Sequence, residues 1–323
     1  MTENIAKFLD LPVDERVAIS EVWTRDGLQG WPDLIATQDK IAVVSEMIDA
    51  GVRDFDLTSF VSPKVTPQFG DATNVLEGLH PRRDEAEFRV LVVNARSFQR
   101  IAEHPVAAEV IDVTGFPISA DEAHNLANLG KTHAEHKENM AVMIDAAADG
   151  GFTPLMCVAT AYGSPLGGPV PTDQVLDLAR WGYDRGVRKL MFGDTTGMAD
   201  PLQAYTLFST AIRAFPGAQL YAHFHDTRSS GIANTIAAIA AGVRVVDTCL
   251  GGAGGEPPTV LQNHVGESGN VCTEDLVAVL DRMGVRLDLD VPAVLEAGRH
   301  VERIVGRPLR SQVLRAGLAV AAA

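Results

Sequence analysis

One feature limits the fold more than any other: an alternation that recurs eight times along the chain. Short, β-branched apolar segments are followed by longer segments with helical spacing. This is the pattern of strands joined by helical crossovers in a parallel sheet. The strand-like segments fall at residues 18–23, 54–59, 88–94, 110–115, 154–161, 189–193, 219–225 and 244–249. Helices are expected at 37–50, 132–150, 172–185, 201–215 and 231–242. In the first of these, Ile41, Val44, Met47 and Ile48 recur on one face. Gly51, Gly151, Gly186 and Gly242 each stand between a helix and the next strand, where a helix C-terminus favours glycine.

Eight βα units in one chain predict a closed (β/α)8 TIM barrel. The alternative is an open, doubly wound sheet, but no GxGxxG follows the first strand. A Gly/Pro-rich loop at 251–269 follows the eighth strand, then a helix from Thr273 and further helix at 291–305. The 323 residues are therefore expected to form a single domain, with a barrel core over about 17–285 and a helical extension over about 286–323. The last residues, AGLAVAAA, are expected to fray.

Composition removes several function classes. Apolar residues make up 46% and charged residues 21%, ordinary values for a soluble protein. A net charge of −15 opposes binding to nucleic acid. No apolar run approaches the roughly 20 residues that span a bilayer. The N-terminal stretch lacks the basic and apolar regions of a secretory signal, so a cytoplasmic location is expected. Cys157, Cys249 and Cys272 lie far apart with no CxxC pair, so buried free thiols are expected rather than a zinc knuckle or disulfide framework.

The polar residues gather where a barrel builds its site, at the C-terminal ends of strands. Strand 1 ends in Thr24-Arg25-Asp26, strand 2 carries Asp56 and ends in Thr58-Ser59, and strand 3 ends at Asn94. Strand 6 ends in Asp194-Thr195-Thr196, strand 7 in His223-Phe224-His225-Asp226, and strand 8 runs into the loop holding Glu256. Alternate strand residues face the same way, so His223 and His225 can share one ion. Two hydrogen-bonded histidines would give the same pattern. Asp26 offers a carboxylate close by once the barrel closes, and Asp226 could orient an imidazole. Mixed carboxylate and imidazole ligands suit Mg²⁺ or Mn²⁺ better than a sulfur-rich zinc site. Arg25 is a fixed cation for an enolate oxygen, or else a loop-holding partner of Asp26. Gln29, Asp56, Asn94 and Thr195 are candidates for contacting substrate; Asp56 and Asp194 could equally cap loops. His80, His104, His124, His133, His136 and His300 read mostly as a solvated face.

These residues form a family pattern. Glu21-Val-Trp-Thr-Arg25-Asp26-Gly27-Leu28-Gln29 resembles the RDGLQ signature of the 3-hydroxy-3-methylglutaryl-CoA lyase group of metal-dependent lyases. The same holds for Thr58-Ser-Phe-Val-Ser-Pro63-Lys64, Phe192-Gly-Asp-Thr-Thr-Gly197, His223-Phe-His225-Asp226-Thr227 and Ser268-Gly-Asn270, in order from Glu21 to Ala316. The resemblance implies a divalent metal held by Asp26, His223, His225 and Asn270, with Arg25 stabilising a developing enolate. It implies retro-aldol (Claisen-type) cleavage of a 3-hydroxyacyl-CoA or related hydroxyacid, with Asp26, His223 and Glu256 also in catalytic positions. It further implies assembly as a homo-oligomer.

The chain departs from the family at four places. Glu256 follows Gly251-Gly-Ala-Gly-Gly255 where the family has a catalytic cysteine, and the stretch beyond it, with Gln262, Asn263 and His264, is longer. Asp56 stands for a glutamate, and Ser164-Pro165 for Cys-Pro. Glutamate has an unperturbed pKa of about 4.3 against about 8.5 for cysteine, which changes the proton-transfer group. A substrate other than 3-hydroxy-3-methylglutaryl-CoA is therefore expected. Two rival readings are a condensing acyltransferase of the isopropylmalate synthase type and a metal-binding barrel without catalysis. Leu28 after Arg-Asp-Gly and the short tail after the barrel oppose the first; the intact Arg25, Asp26, His223, His225 and Asn270 oppose the second.

Overall fold

The computed structural model describes residues 11, 15–255 and 269–319. Eight parallel strands close on themselves: β1 Ala18–Glu21, β2 Asp54–Ser59, β3 Glu87–Leu91, β4 Val113–Ser119, β5 Thr153–Ala159, β6 Lys189–Asp194, β7 Gln219–Phe224 and β8 Val245–Thr248. Closure runs through β1 and β8, where Ala18, Ile19, Ser20 and Glu21 pair in register with Val245, Val246, Asp247 and Thr248. All eight expected strands are present in a TIM barrel.

The long helices also lie where spacing places them: Thr37–Asp49, His133–Asp149, Thr172–Tyr183, Pro201–Ala214, Gly231–Ala241, Thr273–Met283 and Val291–Val305. Local chemistry fixes their ends. Thr132 with Glu135, and Asp200 with Gln203, form capping boxes that satisfy otherwise unpaired N–H groups. Gly51, Gly151, Gly186 and Gly242 adopt φ of 104°, 79°, 89° and 117°, a region that disfavours side chains.

Four short helices were not expected: Ala72–Leu79, Ala95–Ala102, Pro105–Val110 and Glu122–Leu129. The third displaces the fourth strand, because Val110 closes that helix and β4 begins only at Val113. β4 also continues through Pro117, whose missing N–H argues against a central strand. β1 is shorter than expected, because Trp23–Gly27 forms a buried π-helical turn.

Apolar residues on outward strand positions form the main core with the helices, Phe55, Phe88, Phe116, Phe192 and Phe224 among them. Inside the barrel a second, smaller cluster of Val113, Leu155, Met191, Tyr221 and Val245 fills the lower layer. Cys249 and Cys272 are buried free thiols, whereas Cys157 is half-buried above that layer. Two histidines depart from the expected solvated face. His124 and His136 are buried, with Nδ1 of His124 2.8 Å from Ser119 Oγ and Nε2 of His136 2.8 Å from the Pro117 carbonyl. Among the described residues no helix is long and apolar enough to cross a membrane.

Candidate active site

The π-helical turn after β1 carries Arg25 and Asp26 into the mouth; such turns recur at functional sites because they re-aim consecutive side chains. His223 is the second-last residue of β7, and His225 follows its end. His225 forms an isolated bridge with Asn270, which brings the segment after the Gly-rich loop beside β7. One ligand atom each from Asp26, His223 and His225 lies within 4.8 Å of the others, and all three residues are buried. The two Nε2 atoms are 3.0 Å apart, and His225 Nε2 is 3.4 Å from Asp26 Oδ2. Asn270 Nδ2 donates to the same Asp26 oxygen at 2.6 Å.

Gly254 explains why the loop is glycine-rich here. It has φ of +96°, and a Cβ on it would lie 2.6 Å from Asn270 Nδ2 and 2.7 Å from the Asp26 carbonyl oxygen. No side chain fits at that approach. Two buried carboxyl groups hold the start of the loop: Glu21 accepts from Leu250 N at 3.0 Å, and Glu274 accepts from Gly251 N at 2.9 Å.

Beneath the triad runs an ion-pair network. Arg25 donates through Nε to Asp56 Oδ2 and through NH1 to Asp26 Oδ1, both at 2.6 Å. Arg89 donates to Asp247 at 3.0 Å and lies 3.5 Å from Asp56. Asp247 Oδ2 is also 3.0 Å from His223 Nδ1. Burial raises the Asp26 carboxyl, but Arg25 and His225 outweigh it and hold it well below the usual carboxylate range. The same balance, with Arg89 and His223 opposing burial, lowers Asp247. Burial works against the charge on Arg25, yet Asp56 and Asp26 hold it more firmly cationic than a free guanidinium.

The other sequence candidates divide. Gln29 Oε1 accepts from Arg25 NH1 at 3.4 Å, and Asp56 belongs to the network. Thr195 is half-buried and its Oγ1 accepts from Thr160 N at 3.0 Å. Asn94 is exposed and caps the helix Ala95–Ala102, so these contacts tie it to a helix end rather than to the triad. Asp194 caps its own loop, accepting from Met198 N and Ala199 N. Asp226 accepts from Gly231 N at 2.7 Å, at the start of the next helix. The carboxylate that meets an imidazole is Asp247 instead. Glu256, Gln262, Asn263 and His264 lie outside the described residues.

Asp247 and Arg89 are the residues that sequence reasoning missed. Each is a charge in the middle of an apolar strand, which is costly without a partner and was the available signal.

The residues fit a divalent cation. Two imidazole nitrogens and a carboxylate oxygen converge on one point. Asn270 Oδ1 beside them is buried without a hydrogen-bond partner, as an oxygen reserved for a ligand would be.

Comparisons with known proteins agree. The family described as HMGL-like matches residues 16–301. The chain is 33% identical over 305 residues to the hydroxymethylglutaryl-CoA lyase YngG of Bacillus subtilis, covering 94% of this chain and 98% of that protein. It is 33% identical over 302 residues to the human mitochondrial hydroxymethylglutaryl-CoA lyase, covering 94% and 90%. A solved HMG-CoA lyase from Acinetobacter baumannii, in complex with coenzyme A and 3-methylmalate, superposes with a TM-score of 0.86 at 30% identity, covering 95% of this chain and 97% of that one. The chain thus belongs to the HMGL-like family and is a metal-dependent carbon–carbon lyase of the HMG-CoA lyase type.

Proposed function

We propose that this chain cleaves the C2–C3 bond of a 3-hydroxyacyl-CoA, in the cytoplasm, with Mg²⁺ or Mn²⁺ held by Asp26, His223, His225 and Asn270. The observation that carries this reading is the convergence of Asp26, His223 and His225 at the barrel mouth, with Arg25 hydrogen-bonded to the same aspartate. A divalent cation at that point would acidify the C3 hydroxyl and offset charge on the substrate's oxygens. The coenzyme A in the A. baumannii relative supports a thioester over a free acid.

In the reaction the C3 hydroxyl loses its proton, the C2–C3 bond breaks, C3 becomes a ketone, and the electron pair leaves as a thioester enolate. That enolate takes a proton at C2 and departs as acyl-CoA. Arg25 is placed for the charge that develops. Of its five N–H groups, bonds to Asp56, Asp26 and Gln29 fix the guanidinium plane, and it stays cationic throughout. A cation fixed before the charge appears costs no reorganisation in the transition state. His223 is held at Nδ1 by Asp247, so Nε2 is the atom it offers at the mouth. Glu256 is the proposed proton carrier in place of the family cysteine.

The test is turnover across 3-hydroxyacyl-CoA thioesters and free hydroxyacids, with and without Mg²⁺ or Mn²⁺. Metal-dependent release of a ketone and an acyl-CoA from a thioester is expected. Tight metal binding with no cleavage of any compound would overturn the reading in favour of a barrel without catalysis.

A further inference from the structure

The barrel mouth has two unlike walls. On the β1, β2, β7 and β8 side stand Arg25, Asp26, Asp56, His223 and Asp247, joined by hydrogen bonds. The β3–β5 side presents Leu91, Gly115, Pro117, Cys157 and Ala159. Register fixes their facing. Arg89 points inward to Asp247, so Leu91, two residues on, does too. Gly115 pairs with Leu91 and with Leu155 of the interior cluster, Pro117 pairs with Cys157, and Ser119 with Ala159.

The outward neighbours on these strands are Phe88, Val90, Phe116, Ile118, Met156 and Val158, each with 0% exposure. Leu91, Pro117, Cys157 and Ala159 are partly exposed. With the outer face sealed, water reaches them through the mouth. Leu91 and Ala159 pack into neither apolar cluster, while Cys157 rests on the interior one. Among the described residues, Leu91 and Ala159 thus leave apolar surface inside the barrel that belongs to neither cluster.

Two glycines widen the space. Gly115 and Gly193 are not among the glycines with positive φ. A Cβ on Gly115 meets nothing nearer than 3.7 Å, and one on Gly193 lies 3.7 Å from both Ala159 Cα and His223 Cδ2. Neither conformation nor packing requires glycine at these positions. The room before Gly193 also touches both walls at once, a triad imidazole on one side and Ala159 on the other.

We infer that this alcove of Leu91, Gly115, Pro117, Cys157 and Ala159 receives an alkyl substituent on C3 of the substrate, longer than methyl. The inference rests on the proposed cleavage: with the C3 hydroxyl turned to the triad, a second group on C3 points across the mouth to the β3–β5 wall. Burying alkyl carbon against these partly exposed apolar side chains is favourable.

The experiment uses the full chain with Mn²⁺ and a series of 3-alkyl-3-hydroxyglutaryl-CoA thioesters carrying methyl, ethyl, propyl and butyl. Wild-type kcat/KM is expected to rise about fourfold per added methylene until the alcove is full. Ala159→Leu, which fills the space, is expected to lower the butyl-to-methyl ratio about tenfold or more. Gly115→Ala, whose Cβ meets only ordinary contacts, is expected to lower it by a smaller factor and serves if the first variant fails to fold. Ratios identical in wild type and variants, or a wild-type rate that falls with every methylene, overturn the inference. The same thioesters without the C3 hydroxyl cannot be cleaved, and calorimetry gives their affinities. Affinity that tightens with chain length supports the alcove even if nothing is turned over, which would sink only the lyase substrate. Cleavage of the methyl thioester without any such tightening sinks the alcove alone.

Discussion

Replacing Asp247 by asparagine separates two jobs done by one carboxylate. Asp247 lies mid-strand in β8 with a fully buried side chain, and its Oδ2 is 3.0 Å from both His223 Nδ1 and Arg89 NH2. Asparagine keeps the shape and one acceptor but loses the charge. At His223, the new amide can donate to Nδ1, which moves the imidazole proton to Nε2 and spoils that atom as a ligand. Losing a carboxylate behind a ligating histidine costs about 10–100-fold in metal affinity, or about 1.4–2.7 kcal/mol. At Arg89, the remaining carboxylate is Asp56 at 3.5 Å. Breaking a buried pair by removing one partner costs about 3–5 kcal/mol. The stability loss should therefore exceed the loss in binding.

A second substitution tells the two effects apart. Arg89→Met removes the stranded cation, so the double variant should regain about 2 kcal/mol or more over Asp247→Asn alone. Its metal affinity should stay low, because His223 still lacks the carboxylate. Urea unfolding without metal reads the first quantity, and competition for Mn²⁺ against a chelator reads the second. If Asp247→Asn binds Mn²⁺ as tightly as wild type, the carboxylate does not position His223. If the double variant is no more stable than the single, Arg89 and Asp247 are not coupled.

Four further outcomes are expected. His225→Ala should abolish metal-dependent turnover with an unchanged far-UV circular dichroism spectrum; full retention of turnover and metal binding refutes its place in the triad. Gly254→Ala combines a positive φ with a 2.6 Å approach to Asn270 Nδ2, so Mn²⁺ affinity should fall as Asn270 and Asp26 are pushed apart, and an unchanged titration counts against that contact. Glu256→Gln should lower kcat more than it raises KM; an unchanged kcat makes Glu256 a spectator. Burial moves Glu21 from 4.5 to about 8, against hydrogen bonds from Thr273 and Leu250. The folded state therefore holds a proton that the unfolded state has released between these values. That stabilisation is fully present below pH 4.5 and is lost as pH rises to about 8, by up to about 1.4 kcal/mol per pH unit. Glu21→Gln should flatten this part of the stability profile relative to wild type, and parallel profiles in urea unfolding would contradict the shift.

Why some of this was legible in the sequence and some was not follows from distance along the chain. Strands and the longer helices announce themselves because each carries several periods of its own pattern. Glu122–Leu129 and Pro105–Val110 have only eight and six residues, and Val110-Ile111 reads as strand as readily as helix. Asp26, His223 and His225 were legible because strand ends are marked locally and a barrel brings them together. Arg89 and Asp247 are 158 residues apart, and nothing near either names the other. The choice of Asp226 as the carboxylate for an imidazole shows the limit: it is adjacent in sequence, but its oxygen goes to Gly231 N. Asp247 is the register partner of His223 on β8. In a closed parallel barrel, inward side chains meet neighbours across strands rather than along them. Once strands are placed, the partner of an inward residue is sought on the adjoining strand, and a lone charge there is the residue to find. The reasoning extends to charge. Asp26, Asp56 and Asp247 face Arg25 and Arg89, and Asp54 also faces Arg89, so carboxylates outnumber cations under the mouth. A divalent cation offsets that excess, so an anionic thioester should bind more tightly once the metal is bound.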